Sequence, residues 1–224
     1  MTLAVAHRGD PIAHRENTLA ACTSAVALGA DMVEIDLRRA GDGTIVVLHD
    51  STLERLWGID RAVADLGVAD IRAVGEGDLR IPTLPDVLSE VDVPLMVDFT
   101  ESDVVDGALA DVRAAGALDR CLFVTGNVPA LRLLRAGAAD ARIGLTWTGP
   151  GLPDSSLLAE LGAEFWNPAY QLVTAERVAA LHGLGRLVST WTVDGRADME
   201  RMVRSGVDAI VSNDIAALRA FLST

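Results

Sequence analysis

Four short stretches of this chain carry residue types that could do chemistry together: His7-Arg8-Gly9, Glu34-Ile35-Asp36, His49-Asp50 and Asp98. In an extended strand Glu34 and Asp36 stand two apart and project to one face, while Val33, Ile35 and Leu37 take the other. Two carboxylates on one buried face repel each other and lose solvation. Either a divalent metal ion answers them, or they sit at a solvated strand end and pair with arginines. An imidazole titrates near neutrality and can take or give a proton. A guanidinium can grip a phosphate in two places, and a glycine lets a ligand approach the backbone. Asp98 ends the apolar run Leu95-Met96-Val97, where an acid needs a partner. Asp50 reads as a cap for the turn into Ser51-Thr52, and His14 and His182 read as incidental surface residues.

Such residues act together only if the elements carrying them bring them to one place. Short apolar runs predict strands at 3–6, 32–37, 94–99, 121–125, 142–146, 163–166, 187–191 and 208–211. Stretches with apolar residues at helical spacing lie between them, opened by cap candidates Asn17 or Thr18, Ser102 or Asp103, Thr174 and Asp214. Eight such β-then-α units predict an α/β fold, the (β/α)₈ TIM barrel. A doubly wound open sheet is the rival, and its GxGxxG phosphate loop is missing after the first strand. The chain reads as one domain over residues 1–224. Its rhythm breaks after the second strand, with a β-pair turning at Gly41-Asp42-Gly43 and then a small insertion at about residues 50–82, too short for a core of its own. In a barrel, loops at the C-terminal strand ends build the site, and strands one, two and three are neighbours. His7, Glu34, Asp36 and Asp98 therefore converge on one sector of the rim, with His49 ending the strand 44–48 in the same way. Three carboxylates and two imidazoles there predict a metal-assisted acid/base site.

Composition excludes several classes. Lys and Arg total 19 against 32 Asp and Glu, a formal net charge of −13, so no basic footprint exists for a nucleic-acid partner. One small phosphate ester needs only local positive charge. Cys22 and Cys121 stand far apart and predict neither a disulfide framework nor a thiolate zinc site. Without a basic, apolar leader or a run near the ~18 apolar residues of a spanning helix, the sequence predicts a cytoplasmic protein with no transmembrane segment. No oligomeric state follows from the sequence.

The ordered motifs His7-Arg8-Gly9, Glu16-Asn17-Thr18-Leu19, Glu34-Ile35-Asp36 and Val47-Leu48-His49-Asp50 resemble those of the glycerophosphodiester phosphodiesterases. So do Ser51–Arg55 and Ile81–Leu84 at the insertion's borders, and Trp191–Asp194, Met199 and Gly206–Ile210 near the end. The likeness spans nearly the whole chain. It implies a TIM barrel with a small insertion that hydrolyses glycerophosphodiesters to glycerol 3-phosphate and an alcohol. His7 and His49 would be the acid/base pair, Arg8 a phosphate contact, and Glu34, Asp36 and Asp98 ligands of one Mg²⁺ or Ca²⁺, with Mn²⁺ as a further option. Trp191 would wall the substrate pocket or pack the core. The family usually has Glu-x-Lys where this chain has Asp98-Phe99-Thr100; Asp there resembles the related sphingomyelinase D-like group, and Thr100 faces the substrate without the lysine's charge. The closing Thr-Asp-x-Pro is replaced by Ser212-Asn213-Asp214-Ile215. Other readings are a lysophospholipase D-like enzyme using the same site, or a non-catalytic phosphate-binding barrel.

Overall fold

Side-chain alternation along eight short strands decides the architecture. The computed structural model describes residues 1–223, so residue 224 of the expected 1–224 span lies outside the described residues. In chain order the strands are β1 (Leu3–Ala6), β2 (Met32–Arg39), β3 (Ile45–Val47), β4 (Thr52–Leu53), β5 (Ile59–Ala62), β6 (Leu95–Asp98), β7 (Cys121–Thr125), β8 (Arg142–Trp147), β9 (Phe165–Pro168), β10 (Leu187–Thr190) and β11 (Ala209–Ser212). Strands β1, β2 and β6 to β11 pair in parallel, and the β1–β11 and β1–β2 ladders close them into an eight-stranded barrel. The helices are α1 (Leu19–Ala27), α2 (Glu54–Trp57), α3 (Val68–Arg72), α4 (Leu84–Glu90), α5 (Val105–Ala114), α6 (Val128–Gly137), α7 (Ser155–Leu161), α8 (Ala175–Gly183), α9 (Arg196–Ser205) and α10 (Ile215–Leu222). The protein is a TIM barrel, as the alternating pattern predicts.

Each strand shares its residues between two cores. Val33, Ile35, Leu37, Phe123, Ile143, Trp166 and Ile210 pack outward against the helices. Val5, Met32, Met96, Leu122, Val124, Phe165, Ala209 and Val211 fill the barrel interior. Fully burying such a side chain contributes roughly 1.5–3 kcal/mol, so a slip by one residue in any strand would cost several such terms at once. Parity then fixes what stands above the interior plug. Two residues beyond Val5 is His7; beyond Met32 come Glu34 and Asp36; beyond Met96 comes Asp98. The β2–β6 ladder sets Asp36 directly beside Asp98.

Two local departures from expectation matter for the site. The strand expected at 163–166 lies at Phe165–Pro168, because Asn167-Pro168 reads as a turn while the chain continues in register beside β8. Asn167 is therefore a buried barrel residue. Thr18, Thr174 and Asp214 cap α1, α8 and α10 as expected, but α5 follows a 3₁₀ turn over Ser102–Val104 and has no side-chain cap. The insertion contains β4, β5, α2 and α3, and its apolar residues pack in a cluster shared with the segment before it. Leu53, Val63, Leu66, Ile71 and Ile81 bury a cluster against Val46 and Leu48, which β3 and the residue after it present on the side away from the barrel. The sequence pattern hid this cluster because part of it, Ala40, Val46 and Leu48, comes from outside the insertion.

Gly144 sits inside the barrel on β8, where an added Cβ would lie 2.8 Å from Val124 Cγ1 and 3.4 Å from Phe165 Cβ. Overpacking this layer predicts that Gly144→Val destabilises the protein by about 1–3 kcal/mol in urea unfolding. An unchanged midpoint would mean the interior has room that its packing denies.

Candidate active site at the mouth of the barrel

The C-terminal strand ends surround a cleft of about 280 Å³ lined by His7, Arg8, Glu34, Asp36, Arg38, His49, Asp98, Thr100, Asn167 and Trp191, among others. All eight residues singled out from the sequence line it: His7, Arg8, Glu34, Asp36, His49, Asp98, Thr100 and Trp191. His14 and His182 stay outside, and His182 Nε2 lies 2.8 Å from Asp208 Oδ2.

Glu34, Asp36 and Asp98 each offer a carboxylate oxygen, and these three atoms lie within 4.8 Å of one another. Burial raises Glu34 well above the usual carboxylate range, with the Asp36 and Asp98 charges adding to it. Asp98 is pushed up to about 7, first by burial and then by Asp36. Hard oxygen donors, close spacing and strained ionisation together fit a hard divalent cation such as Mg²⁺ or Ca²⁺. Glu34 Oε2 accepts the Arg8 backbone N–H at 2.9 Å, and Asp36 Oδ2 accepts Asn17 Nδ2–H at 2.7 Å. Both partners hold left-handed backbones, with φ of 58° at Arg8 and 60° at Asn17. The Asn17 N–H donates to the Arg8 carbonyl at 2.9 Å, so the two strained residues pin one another beside the carboxylates. Gly9 follows with φ of 84°, and a Cβ there would come within 2.5 Å of the Ala21 carbonyl carbon, so only glycine lets α1 approach.

The Arg8 guanidinium donates to Glu16 at 2.9 Å, and its Nε lies 3.1 Å from Asp36 Oδ2 in a poorly aligned ion pair. It faces the cleft, but its charge is largely answered by its neighbours.

Each histidine is oriented by a different part of the chain. His7 Nδ1 lies 2.7 Å from Asn213 Oδ1, and Asn213 Nδ2–H donates to Asp194 Oδ2 at 2.9 Å. His7 Nδ1 must therefore carry the proton, which leaves Nε2, 3.9 Å from Glu34 Oε2, as the bare nitrogen. Burial, helped by the Arg8 charge, lowers the His7 pKa. His49 Nδ1 lies 2.7 Å from Asp50 Oδ1. Asp50 is held down to about 2, chiefly by its hydrogen bond from Arg55. Arg55 also donates to Glu16, so the insertion, the β1–α1 loop and His49 form one network. Asp50 is thus a partner of His49 and not the turn cap expected of it: its neighbour's imidazole and Arg55 take both oxygens.

Sequence reasoning missed Asn213, Asp194, Asn167 and Arg38 as members of the site. Arg38 had a usable signal, since it continues the alternation Glu34-x-Asp36-x-Arg38. Asn213 also has the right parity, two beyond the interior Val211, but its contact with His7 crosses the whole chain. Trp191 fills both roles weighed for it, packing on the interior cluster, donating its indole N–H to the Asn167 carbonyl at 3.1 Å and lining the cleft.

A parallel barrel with two imidazoles, a carboxylate trio and arginines at one mouth is the outline of a phosphoryl-transfer hydrolase. The profile of the Glycerophosphoryl diester phosphodiesterase family matches residues 7–217, and the chain belongs to that family. It is an enzyme, a phosphoric diester hydrolase. A glycerophosphodiester phosphodiesterase of Caldanaerobacter subterraneus subsp. tengcongensis is 29% identical over 229 residues, covering 95% of this chain and 94% of that relative. One of Bacillus subtilis is 25% identical, covering 94% of this chain and 83% of its own length. In fold, a phosphodiesterase of Oleispira antarctica, solved in complex with the product sn-glycerol-3-phosphate, superposes with a TM-score of 0.92 at 20% identity, covering 100% of this chain and 98% of that one. No helix among the described residues is long and apolar enough to cross a membrane.

Protons and a divalent cation compete for the trio. Because Asp98 titrates at about 7, the fraction able to accept a cation without losing a proton falls as pH drops through 7. The same raised pKa makes the cation-free protein less stable as pH climbs from the ordinary Asp range towards 7, since the folded state then holds more protons than the unfolded one. The gain in melting temperature on adding Mg²⁺ or Ca²⁺ to chelator-treated protein should therefore grow between pH 5.5 and 8 and shrink sharply in Asp98→Asn. A gain that is flat with pH would remove the carboxylates from cation binding.

Proposed function

We propose that the enzyme hydrolyses glycerophosphodiesters to sn-glycerol 3-phosphate and an alcohol, using His7 and His49 as its proton-transfer pair. The observation that carries this reading is the orientation of the two imidazoles. Each is anchored through Nδ1 by a different partner, so each keeps Nε2 for the cleft that also holds the carboxylate trio. Family membership and the name of the Caldanaerobacter relative support the substrate class, and the product named with the Oleispira structure is the one proposed here.

Glu34, Asp36 and Asp98 would hold one divalent cation, which when bound supplies positive charge against the nonbridging phosphate oxygens. His7, neutral with a bare Nε2, takes the proton of the attacking oxygen. Attack by water gives both products directly; attack by a neighbouring glycerol hydroxyl gives a cyclic phosphate that water then opens. As the new O–P bond forms, the P–O bond to the alcohol breaks, and His49 delivers its proton to the departing alkoxide. The Asp50 carboxylate keeps the His49 ring aimed during that transfer and balances the imidazolium before it. Asn213 does the matching work for His7 without adding charge. Arg8 faces the phosphate and, through Glu16, ties the loop carrying His7 to the insertion. Trp191, its indole N–H already bonded to the backbone, offers an apolar wall to the glycerol or the alcohol.

His7→Ala and His49→Ala should each lower turnover of sn-glycero-3-phosphocholine by ~10²–10⁴-fold with unchanged melting temperature. A p-nitrophenyl diester, whose leaving group needs no proton, separates the roles: His49→Ala should recover most of its rate on it, whereas His7→Ala should not. Wild-type rates in either variant would end the assignment, and the opposite pattern would exchange the two roles. Chelation should abolish activity and Mg²⁺, Ca²⁺ or Mn²⁺ should restore it.

A further inference from the structure

The cleft holds a cation that none of the sequence motifs names and that makes no ion pair with the carboxylate trio. Arg38 follows Glu34 and Asp36 at the same parity on β2, so it stands on the site face one step above Asp36. The β2–β6 ladder pairs Asp36 with Asp98, and extending that register by two residues sets Arg38 beside Thr100. The contact is made: Arg38 Nη1–H donates to Thr100 Oγ1 at 3.0 Å. On its other edge Arg38 Nε and Nη2 both donate to the His49 carbonyl, Nε at 2.9 Å. Its partners among the described residues are thus a hydroxyl and a backbone carbonyl, both neutral. Arg8, by contrast, lies against Glu16 and Asp36.

A guanidinium has five N–H donors. Three are engaged here, which leaves one in-plane N–H on each Nη for the oxygens of a phosphate. The charge is half-buried; its hydrogen-bond partners are neutral, and its carboxylate interaction among the described residues is a longer-range pull on Asp98, not an ion pair. A fixed cation between His49 and Asp98, with no carboxylate in ion-pair contact, is what a dianionic or developing phosphate charge requires.

We propose that Arg38 is the cation that grips the phosphate of the substrate from the β2 side, and that Thr100 orients Arg38 instead of touching the substrate. The place where a lysine at 100 would send its charge from β6 is filled from the neighbouring strand, one register step away. This assignment rests on the phosphodiesterase reading above. On this proposal the phosphate is not left one positive contact short by Thr100.

The holding of the His49 carbonyl offers a competing, purely structural role for Arg38, so the test must separate charge from scaffolding. With Mg²⁺ and sn-glycero-3-phosphocholine, Arg38→Ala and Arg38→Gln should each lower kcat/KM by ~10²-fold or more, the scale of losing one donor to transition-state charge. Thr100→Lys placed in the Arg38→Ala background restores a cation at the same spot but not the clamp on His49. It should recover at least ~10-fold, a gain of about 1.4 kcal/mol. Inorganic phosphate, titrated calorimetrically with Mg²⁺ present, should bind the wild type and the double variant and lose at least ~10-fold in affinity for Arg38→Ala. If Arg38→Ala keeps kcat/KM and phosphate affinity within ~2-fold of wild type, or if Thr100→Lys rescues neither, Arg38 is a scaffold and the proposal is wrong. Should the wild type hydrolyse no diester at all, the reading of function falls separately. The phosphate titration then decides Arg38 by itself, and equal or absent phosphate binding in wild type and Arg38→Ala overturns it.

Discussion

Bringing the oxygens of Glu34, Asp36 and Asp98 within 4.8 Å of one another sets a charge problem that the rest of the barrel mouth answers. Three carboxylates taken from water at that spacing cannot all stay ionised without help, which is why burial and mutual repulsion drive Glu34 and Asp98 upward in pKa. The chain supplies only partial relief. One backbone N–H reaches Glu34, one amide reaches Asp36, and Arg8 approaches Asp36 off-line. Even that relief demands two residues in left-handed backbone conformations. A site with three close carboxylates and only partial relief is one that could hold a cation.

The two imidazoles divide the structure between them. His7 is steadied by Asn213, which Asp194 holds in turn, so its support comes from the end of the chain. His49 is steadied by Asp50 and Arg55 from the insertion. The insertion therefore does more than lengthen a loop. Its small apolar cluster on Val46 and Leu48 gives α2 a fixed seat, and Arg55 on α2 reaches both Asp50 and Glu16. Arg15 stacks 4.1 Å from the Trp57 ring and ties the same helix to the β1–α1 loop. Geometry at His49 thus depends on packing outside the barrel.

Strand parity made much of this legible. Glu34 and Asp36 could be placed on the inward face of β2, opposite Val33 and Ile35, because the side-chain period of a strand is two. His7 and Asp98 were legible as the C-terminal ends of their strands; in the structure the same parity sets them above Val5 and Met96 and also reaches Arg38 and Asn213. What the rule lacked was a reason to stop at a given residue. Asn167 was lost because its following proline reads as a turn, and Asp50 was misread because a local cap is the commonest use of an Asp before Ser-Thr. Each of those readings follows from local chemistry; the first fails because Thr146 and Ser189 on the neighbouring strands take the Asn167 side chain, the second because His49 and Arg55 take the Asp50 carboxylate.

By itself, then, the sequence determined the eight strands, their two faces and the ring of acids and imidazoles at their ends, since apolar periodicity and strand parity are local properties of the chain. Only the tertiary structure decided which groups complete that ring. The Asn213 and Asp194 support of His7 and the Arg38–Thr100 contact between neighbouring strands join residues that no spacing links. They exist because barrel closure and the β2–β6 register fix distances that the chain alone leaves open.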